Sequence, residues 1–264
     1  MIETNKILTI AISTISNNPD ILLKKILLEL PNISKNISFL IVSQGNISNL
    51  DFIDYPKDRI NIILSETTGL SLSRNIAINN INTPWLWFQD DDIVLNVGVL
   101  GKLIDSLMKT KSDVFLTKII SLESKKHYYK NYSYYKYSKK RIALRASSIE
   151  IIVKKNFLIN NKVKFDTRLG LGSPYPCGEE NLFLLKIIKN GGKVEMSDVA
   201  PCFHTTLKKN RKNISTGHYV ARGILLQEFS FFLAFFIAIK WSINKRNSHN
   251  IFTVFRFIIQ GYFK

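Results

Sequence analysis

Four short, mostly apolar runs punctuate the first third of the chain, at residues 7–12, 39–42, 60–64 and 85–88. Runs this short and this apolar read as buried strands of a parallel sheet. Helical spacing follows the first, third and fourth of them. Ile21, Leu22, Ile26 and Leu30 mark a helix behind Asn18 and Pro19, an N-cap followed by Pro at the first helical position. Residues 71–80 and 96–108 read as further helices, and 114–116 as a further strand. Strands alternating with helices imply right-handed βαβ units and a mostly parallel sheet. Such sheets bind ligands beyond the carboxyl ends of their strands. The loops after strands one, two and four are therefore where chemistry is expected.

The fourth run, Trp85-Leu86-Trp87-Phe88, leads through Gln89 directly into Asp90-Asp91-Asp92. Like charges packed at the rim of a core repel unless a cation is present. A hard divalent ion binds carboxylate oxygens and keeps positions for phosphate oxygens. Strand alternation would aim Asp90 and Asp92 at the cleft and turn Asp91 away. The bland alternative is a solvated turn, or an N-cap for the helix expected from Asn96. Trp85 and Trp87 read as core.

A second acidic pair, Glu179-Glu180, follows Gly178 and precedes Leu182, Phe183, Leu184, Leu185, Ile187 and Ile188. These glutamates open a helix, where the helix dipole favours negative charge. That position alone accounts for them. The functional alternative makes one of them a general base that takes the proton of an attacking hydroxyl. The loop at 170–178 is rich in turn residues and is a candidate substrate wall.

The two acidic sites, in this order and separated by a basic segment, resemble glycosyltransferase family 2. The likeness covers about residues 7–204. Gly69-Leu70-Ser71-Leu72-Ser73-Arg74-Asn75 looks like the family's helix beside the donor, residues 87–92 like its DxD strand, Gly178-Glu179-Glu180 like the motif that carries the base, and Phe203-His204 like the strand that closes the acceptor half. The resemblance implies a GT-A fold: a Rossmann-like, mostly parallel sheet flanked by helices. It implies an inverting, metal-dependent transfer of a sugar from a nucleotide-sugar donor to a glycan hydroxyl, of the kind that builds bacterial surface polysaccharides. It implies Mn²⁺ or Mg²⁺ at Asp92, with Arg74 and Asp90 binding the donor; Thr14, Gln44 and Asp91 are further donor-binding candidates, Gln44 through a base edge, and His204 reads as a third metal ligand, an acceptor contact or a structural residue closing its strand. Arg74 would face the nucleotide or diphosphate, and Asp90 the ribose. Glu180 aligns with the family's base and Glu179 with the residue before it; either is a candidate. The chain departs from the family after strand two, where Val42-Ser43-Gln44-Gly45-Asn46 lacks the usual acid.

Charge bears on partners. The chain carries 37 Lys+Arg against 20 Asp+Glu over 264 residues, a formal +17, which points to a polyanionic partner. Residues 125–145 hold eight Lys/Arg and six tyrosines and no acid. They read either as a loop gripping a phosphorylated acceptor or as a solvated insertion; nucleic acid is not expected, since no RNA-binding signature accompanies them. The segment from Thr205 to Lys264 has ten Lys/Arg against the single acid Glu228. Its apolar stretch at 224–239 is interrupted by Gln227 and Glu228, and Lys240, Trp241, Lys245 and Arg246 follow. Phe252, Phe255, Ile258 and Ile259 mark a second helix. Apolar helices flanked by cations and Trp suit an anionic membrane surface; packing on the catalytic domain or a homo-oligomer contact is the alternative.

The expected organisation is thus a GT-A domain over 1–207, with a donor half at about 1–110 and an acceptor half at 111–207, and a helical membrane-associating tail over 208–264. No signal-peptide pattern opens the sequence, and Cys177 and Cys202 form no metal-ligand pair, so a cytoplasmic location on the inner face of the cell membrane is expected, beside a lipid-linked or oligosaccharide acceptor. His127, His218 and His249 read as surface residues. Two other functions remain at this stage: a sugar-nucleotide nucleotidyltransferase, against which the loop after strand one lacks Gly and Arg, and a non-catalytic basic membrane- or nucleic-acid-binding protein.

Overall fold

The computed structural model describes residues 6–15, 19–45, 54–206, 214–244 and 249–264. In chain order the elements are β1 (Leu8–Thr14), α1 (Asp20–Glu29), β2 (Ile37–Gln44), β3 (Ile60–Ser65), α2 (Leu70–Asn80), β4 (Trp85–Asp90), β5 (Val94–Leu95), α3 (Leu100–Lys109), β6 (Val114–Leu116), β7 (Ile119–Ser121), α4 (Lys139–Ala143), β8 (Ile151–Lys154), α5 (Lys155–Asn160), α6 (Glu179–Lys189), β9 (Val194–Met196), β10 (Cys202–His204), α7 (Thr216–Leu226), α8 (Phe231–Ser242) and α9 (Ile251–Tyr262).

The main sheet has seven strands in the order β3-β2-β1-β4-β8-β6-β9. β1 runs parallel to both β2 and β4, and β2 parallel to β3; α1 joins β1 to β2 and α2 joins β3 to β4 as βαβ crossovers. β8 enters antiparallel to β4 and β6. A second sheet, β5-β10-β7, stands beside it. Alternation along the strands divides the core in two. Leu8, Ile10, Ile12, Trp85 and Trp87 pack with α1 and α3 on one face. Ala11, Leu86, Phe88 and Val153 pack with α2 and α6 on the other. Both tryptophans are buried, as the sequence suggests.

Three boundaries depart from expectation. α3 begins at Leu100 rather than Asn96, because Asn96 donates its backbone N–H to Pro201 O and its side-chain amide to Ala200 O, and a 3₁₀ turn at Val97–Val99 precedes the helix. Asn18 lies outside the described residues, and Pro19 stands at the N-cap position of α1. The C-terminal region forms three helices instead of two: the apolar stretch breaks after Leu226, Phe229 is buried, and Ser230 is extended before α8. Lys245 and Arg246 also lie outside the described residues.

The C-terminal helices join the core. Tyr219, Leu226, Ala234, Ala238, Val254 and Ile258 are buried in the same cluster as Phe88 and Phe183. α7 and α9 cross so closely that only glycine fits at the contact. A Cβ on Gly223 would stand 2.0 Å from Ile258 O, and one on Gly261 2.0 Å from Val220 O. Alanine gains about 1 kcal/mol over glycine in a helix interior. Forcing two backbones apart costs more, so Gly223→Ala is expected to lower stability by about 1–3 kcal/mol in urea denaturation.

Candidate active site

β1 and β4 end side by side, with Ser13 opposite Asp90 in register. The strand stops at Asp90, and Asp91 and Asp92 lie in the turn that follows. Asp91 is tied back to β1: Thr14 Oγ1 donates to its Oδ2 at 2.6 Å. Asp92 therefore reaches the cleft through a turn and not through strand alternation. Its Oδ1 lies 3.8 Å from His204 Nε2 at the end of β10. His204 Nδ1 is 2.8 Å from Thr205 O, so the network assigns its proton to Nδ1 and leaves Nε2 bare towards Asp92. The ring is held edge-on against Tyr129, centroids 5.0 Å apart.

Arg74 connects the end of β4 to the start of α6. It is 1% exposed, on the inner side of α2. Its Nη2 donates to Asp90 Oδ1 at 3.3 Å and its Nη1 to Glu179 Oε1 at 2.9 Å, while Phe165 lies under the guanidinium with its ring centroid 5.5 Å away. Nη1 and Nη2 are thus directed at protein carboxylates, while the buried Nε has no hydrogen-bond partner among the described residues. Arg74, expected against the nucleotide or diphosphate, is held here by burial and two acids. Other residues of the same helix tie the loop at 165–171 in place. Ser71 Oγ donates to Leu169 O, Asn75 makes two hydrogen bonds with the Phe165 backbone, and Leu70 N donates to Leu171 O. Gly170 is needed in that loop: its φ is +104°, and a Cβ there would meet the Glu179 side chain at 3.3 Å.

The two glutamates at the start of α6 have different surroundings. Glu179 is buried against Arg74. Glu180 is half-buried. Burial first, and then the charge of Glu179, pushes its pKa up to about 8, and a hydrogen bond with Glu179 adds to the rise; Arg74 opposes it. Asp90 is also raised, by burial foremost, with Arg74 acting against the shift and Asp92 and Glu179 with it. Gln44 at the end of β2 is 2% exposed and donates its amide to Thr67 O at 2.8 Å, which engages the N–H face expected for a nucleobase.

One carboxylate escaped the motif search. Glu150 is fully buried and accepts from Tyr132 Oη at 2.6 Å, Lys130 Nζ at 2.9 Å and Ser147 N at 2.8 Å. It anchors the basic segment at 125–145 from outside that segment, and so supplies a countercharge the segment lacks. Lys130 in turn feels the charge of Glu180, and Asn181 donates to Ala143 O and Ala146 O. The segment thus borders the cleft at Glu180 and, through Tyr129, at His204. Ser147 and Glu150 form a capping box, and that Ser-x-x-Glu spacing is the signal that marks Glu150 in the sequence. Cys177 and Cys202 form no disulfide, and burial pushes the Cys202 thiol far up, so it is no nucleophile.

Among the described residues no three His, Cys, Asp or Glu side chains are gathered into a metal site. Asp92 and His204 offer a carboxylate oxygen and a bare imidazole nitrogen too far apart to hydrogen-bond to each other. Two such ligands fit a divalent ion that completes its shell with diphosphate oxygens and water.

Residues 49–164 match the family described as Glycosyl transferase family 2. Arg74 and Asp90 to Asp92 lie inside that stretch; Glu179, Glu180 and His204 lie beyond it. Among solved structures, residues 1–349 of S. aureus TarS are 17% identical, with 89% of this chain and 70% of that one covered and a TM-score of 0.64. The same protein in complex with UDP-GlcNAc gives 16% identity, 89% and 71% coverage and a TM-score of 0.64. A mannosyltransferase from Pyrobaculum calidifontis, in complex with GDP-Man and Mn²⁺, gives 11% identity, 97% and 68% coverage and a TM-score of 0.54. At these identities the likeness is one of fold, and the fold is GT-A. No curated protein matches the sequence.

Removing Arg74 leaves the Glu179 carboxylate buried without its partner. Arg74→Met is therefore expected to cost about 3–5 kcal/mol in urea denaturation, well above the effect of a surface arginine.

Proposed function

We propose that the chain, whose residues 49–164 match Glycosyl transferase family 2, is a glycosyltransferase that moves a sugar, with inversion, from a nucleoside-diphosphate donor to a hydroxyl of a lipid-linked glycan in surface-polysaccharide synthesis. The observation that carries this reading is the pair of acidic sites joined by one guanidinium. Asp90 and Glu179 are linked through Arg74, which ties the end of β4, next to Asp92 and its neighbour His204, to the start of α6, which carries Glu180. The arrangement suits a base on one wall and a diphosphate site on the other.

In this mechanism the acceptor hydroxyl attacks the anomeric carbon, the bond to the diphosphate breaks, and Glu180 takes the hydroxyl proton. Glu180 is the better base of the two glutamates, because Glu179 is committed to Arg74. A raised pKa makes Glu180 a stronger base once ionised. Asp92 and His204 would hold the divalent ion, which offsets charge on the departing diphosphate. Thr14 and Asp91, bonded to each other, and Asp90 and Gln44 line the end of the parallel strands where the donor is proposed to sit. A cytoplasmic location belongs to the same reading, since nucleotide-sugar donors are made there.

Glu180→Gln is expected to lower kcat by about 10²–10⁴-fold. In the wild type kcat/KM should fall as pH drops below about 8, because the base must be ionised. The sign for stability is opposite. A carboxyl raised in the folded state stabilises below its unfolded pKa and loses that contribution as pH rises towards about 8. The Gln variant should therefore melt higher than wild type at pH 9 and equally at pH 4. A variant with full turnover, or a flat pH profile, assigns the base elsewhere.

Mn²⁺ with the correct UDP-, GDP- or dTDP-sugar should raise the melting temperature by mass action. Asp92→Asn should abolish the metal-dependent part of that shift. Metal-dependent turnover that survives in Asp92→Asn would sink the metal site.

A further inference from the structure

α8 is built the wrong way round for a surface helix. Its buried positions are the small residues Ala234, Ala238 and Ser242. Its large ones face out: Phe232 is 77% exposed and Phe236 67%, with Phe231, Leu233 and Phe235 also exposed. A helix covering a core normally does the reverse, burying bulk and exposing polar groups. α9 continues the patch. Phe252 is 87% exposed, and the Phe235 and Phe255 rings meet at 5.8 Å, joining the two helices into one apolar face. An exposed apolar face of this kind marks a contact surface.

Its charge selects the partner. From Phe229 to Lys264 the sequence holds five Lys/Arg and no acid. Lys240 on α8 and Arg256 on α9 are exposed beside the aromatic residues. The acid just before this stretch, Glu228, is turned inward to Lys189 at 3.0 Å. A second copy of the same face would set cations against cations. An anionic bilayer supplies both hydrocarbon and opposite charge. We infer that the outer face of α8 and α9 docks on an anionic lipid surface, with both helices lying in the interface. α8 has 12 residues, about 18 Å of helix, against a hydrocarbon core of about 30 Å. No helix among the described residues is long and apolar enough to cross a membrane.

The docking face is tied to the wall that carries Glu180. Arg168 Nη1 donates to Lys264 O at 3.2 Å, Lys264 Nζ lies over the Tyr175 ring, and Leu225 of α7 packs within 3.4 Å of where a Cβ on Gly178 would be. Gly178 is the N-cap of α6. Docking therefore holds the base wall in a fixed orientation to the lipid surface. That this delivers a lipid-linked acceptor rests on the function proposed above; the lipid contact itself does not.

The test is co-sedimentation of the full chain with vesicles of phosphatidylcholine, alone or mixed with phosphatidylglycerol. The wild type should bind the mixed vesicles and release as salt rises. Phe232→Glu/Phe236→Glu should reduce the bound fraction at least about tenfold, and Lys240→Glu should weaken it only on the anionic vesicles. All three positions are exposed, so circular dichroism and the nucleotide-sugar melting shift should stay unchanged. Wild-type protein that ignores anionic vesicles, or a double variant that binds like wild type, overturns the proposal. A wild-type dimer that the double variant dissolves, with no vesicle binding, makes the face a self-interface instead and equally overturns it. Vesicle binding in a protein that answers no nucleotide sugar would leave the lipid contact standing and remove the catalytic reading.

Discussion

A single buried guanidinium holds the cleft in shape. Arg74 is removed from water, and an unpaired buried charge costs several kcal/mol, so the two carboxylates that meet it are constrained in place. One comes from the end of β4 and the other from the start of α6. The α2 residues flanking Arg74 carry the same link further, through hydrogen bonds to the loop at 165–171. The helix that resembles a donor-side motif is thus also the joint between β4, α6 and that loop. Because Arg74 engages Glu179, Glu180 is left beside a charged neighbour in a poorly hydrated place, and its raised pKa follows. Structure and proton affinity have one cause here.

Glu150 repeats this device with the charges reversed. Its buried carboxylate gathers a lysine, a tyrosine and a backbone N–H. Three donors offset the cost of burial and pin the tyrosine-rich basic segment against the sheet. Tyr132 Oη accepts from Ile119 N as well, so the anchor reaches β7. Exposed cations such as Lys136, Lys139 and Arg141 are then presented from a fixed base. Arg141 stacks over Tyr137 at 3.7 Å, which organises part of that charge.

The C-terminal helices serve the core and the outside at once. Small residues set the inner contacts, glycine against backbone where α7 meets α9 and alanine under α8. Close approach at those points leaves the bulky side chains facing out. An aromatic, acid-free exterior is costly in water, and the anionic lipid contact inferred for it removes that cost.

Periodicity, turn residues and capping are local properties, and they were legible in the sequence. The four apolar strands, the helix over α2, the aspartates closing β4 and the glutamates opening α6 all follow from neighbours within a few residues. So does a mostly parallel sheet, because alternating strands and helices admit few sheet topologies; the GT-A class came from the resemblance of several motifs taken together. Asn96 was misread because its amide is claimed by Ala200, which no local pattern contains. Distant pairing decided the rest. Arg74 and Glu179 are 105 positions apart, and only the completed sheet order makes them neighbours. The different surroundings of two adjacent glutamates, the turn that brings Asp92 towards His204, and the outward face of α8 are likewise products of packing. A sequence written in hydrophobic periods fixes which side of an element is buried, but burial and charge at one carboxylate depend on every element around it, and those are set when the chain closes.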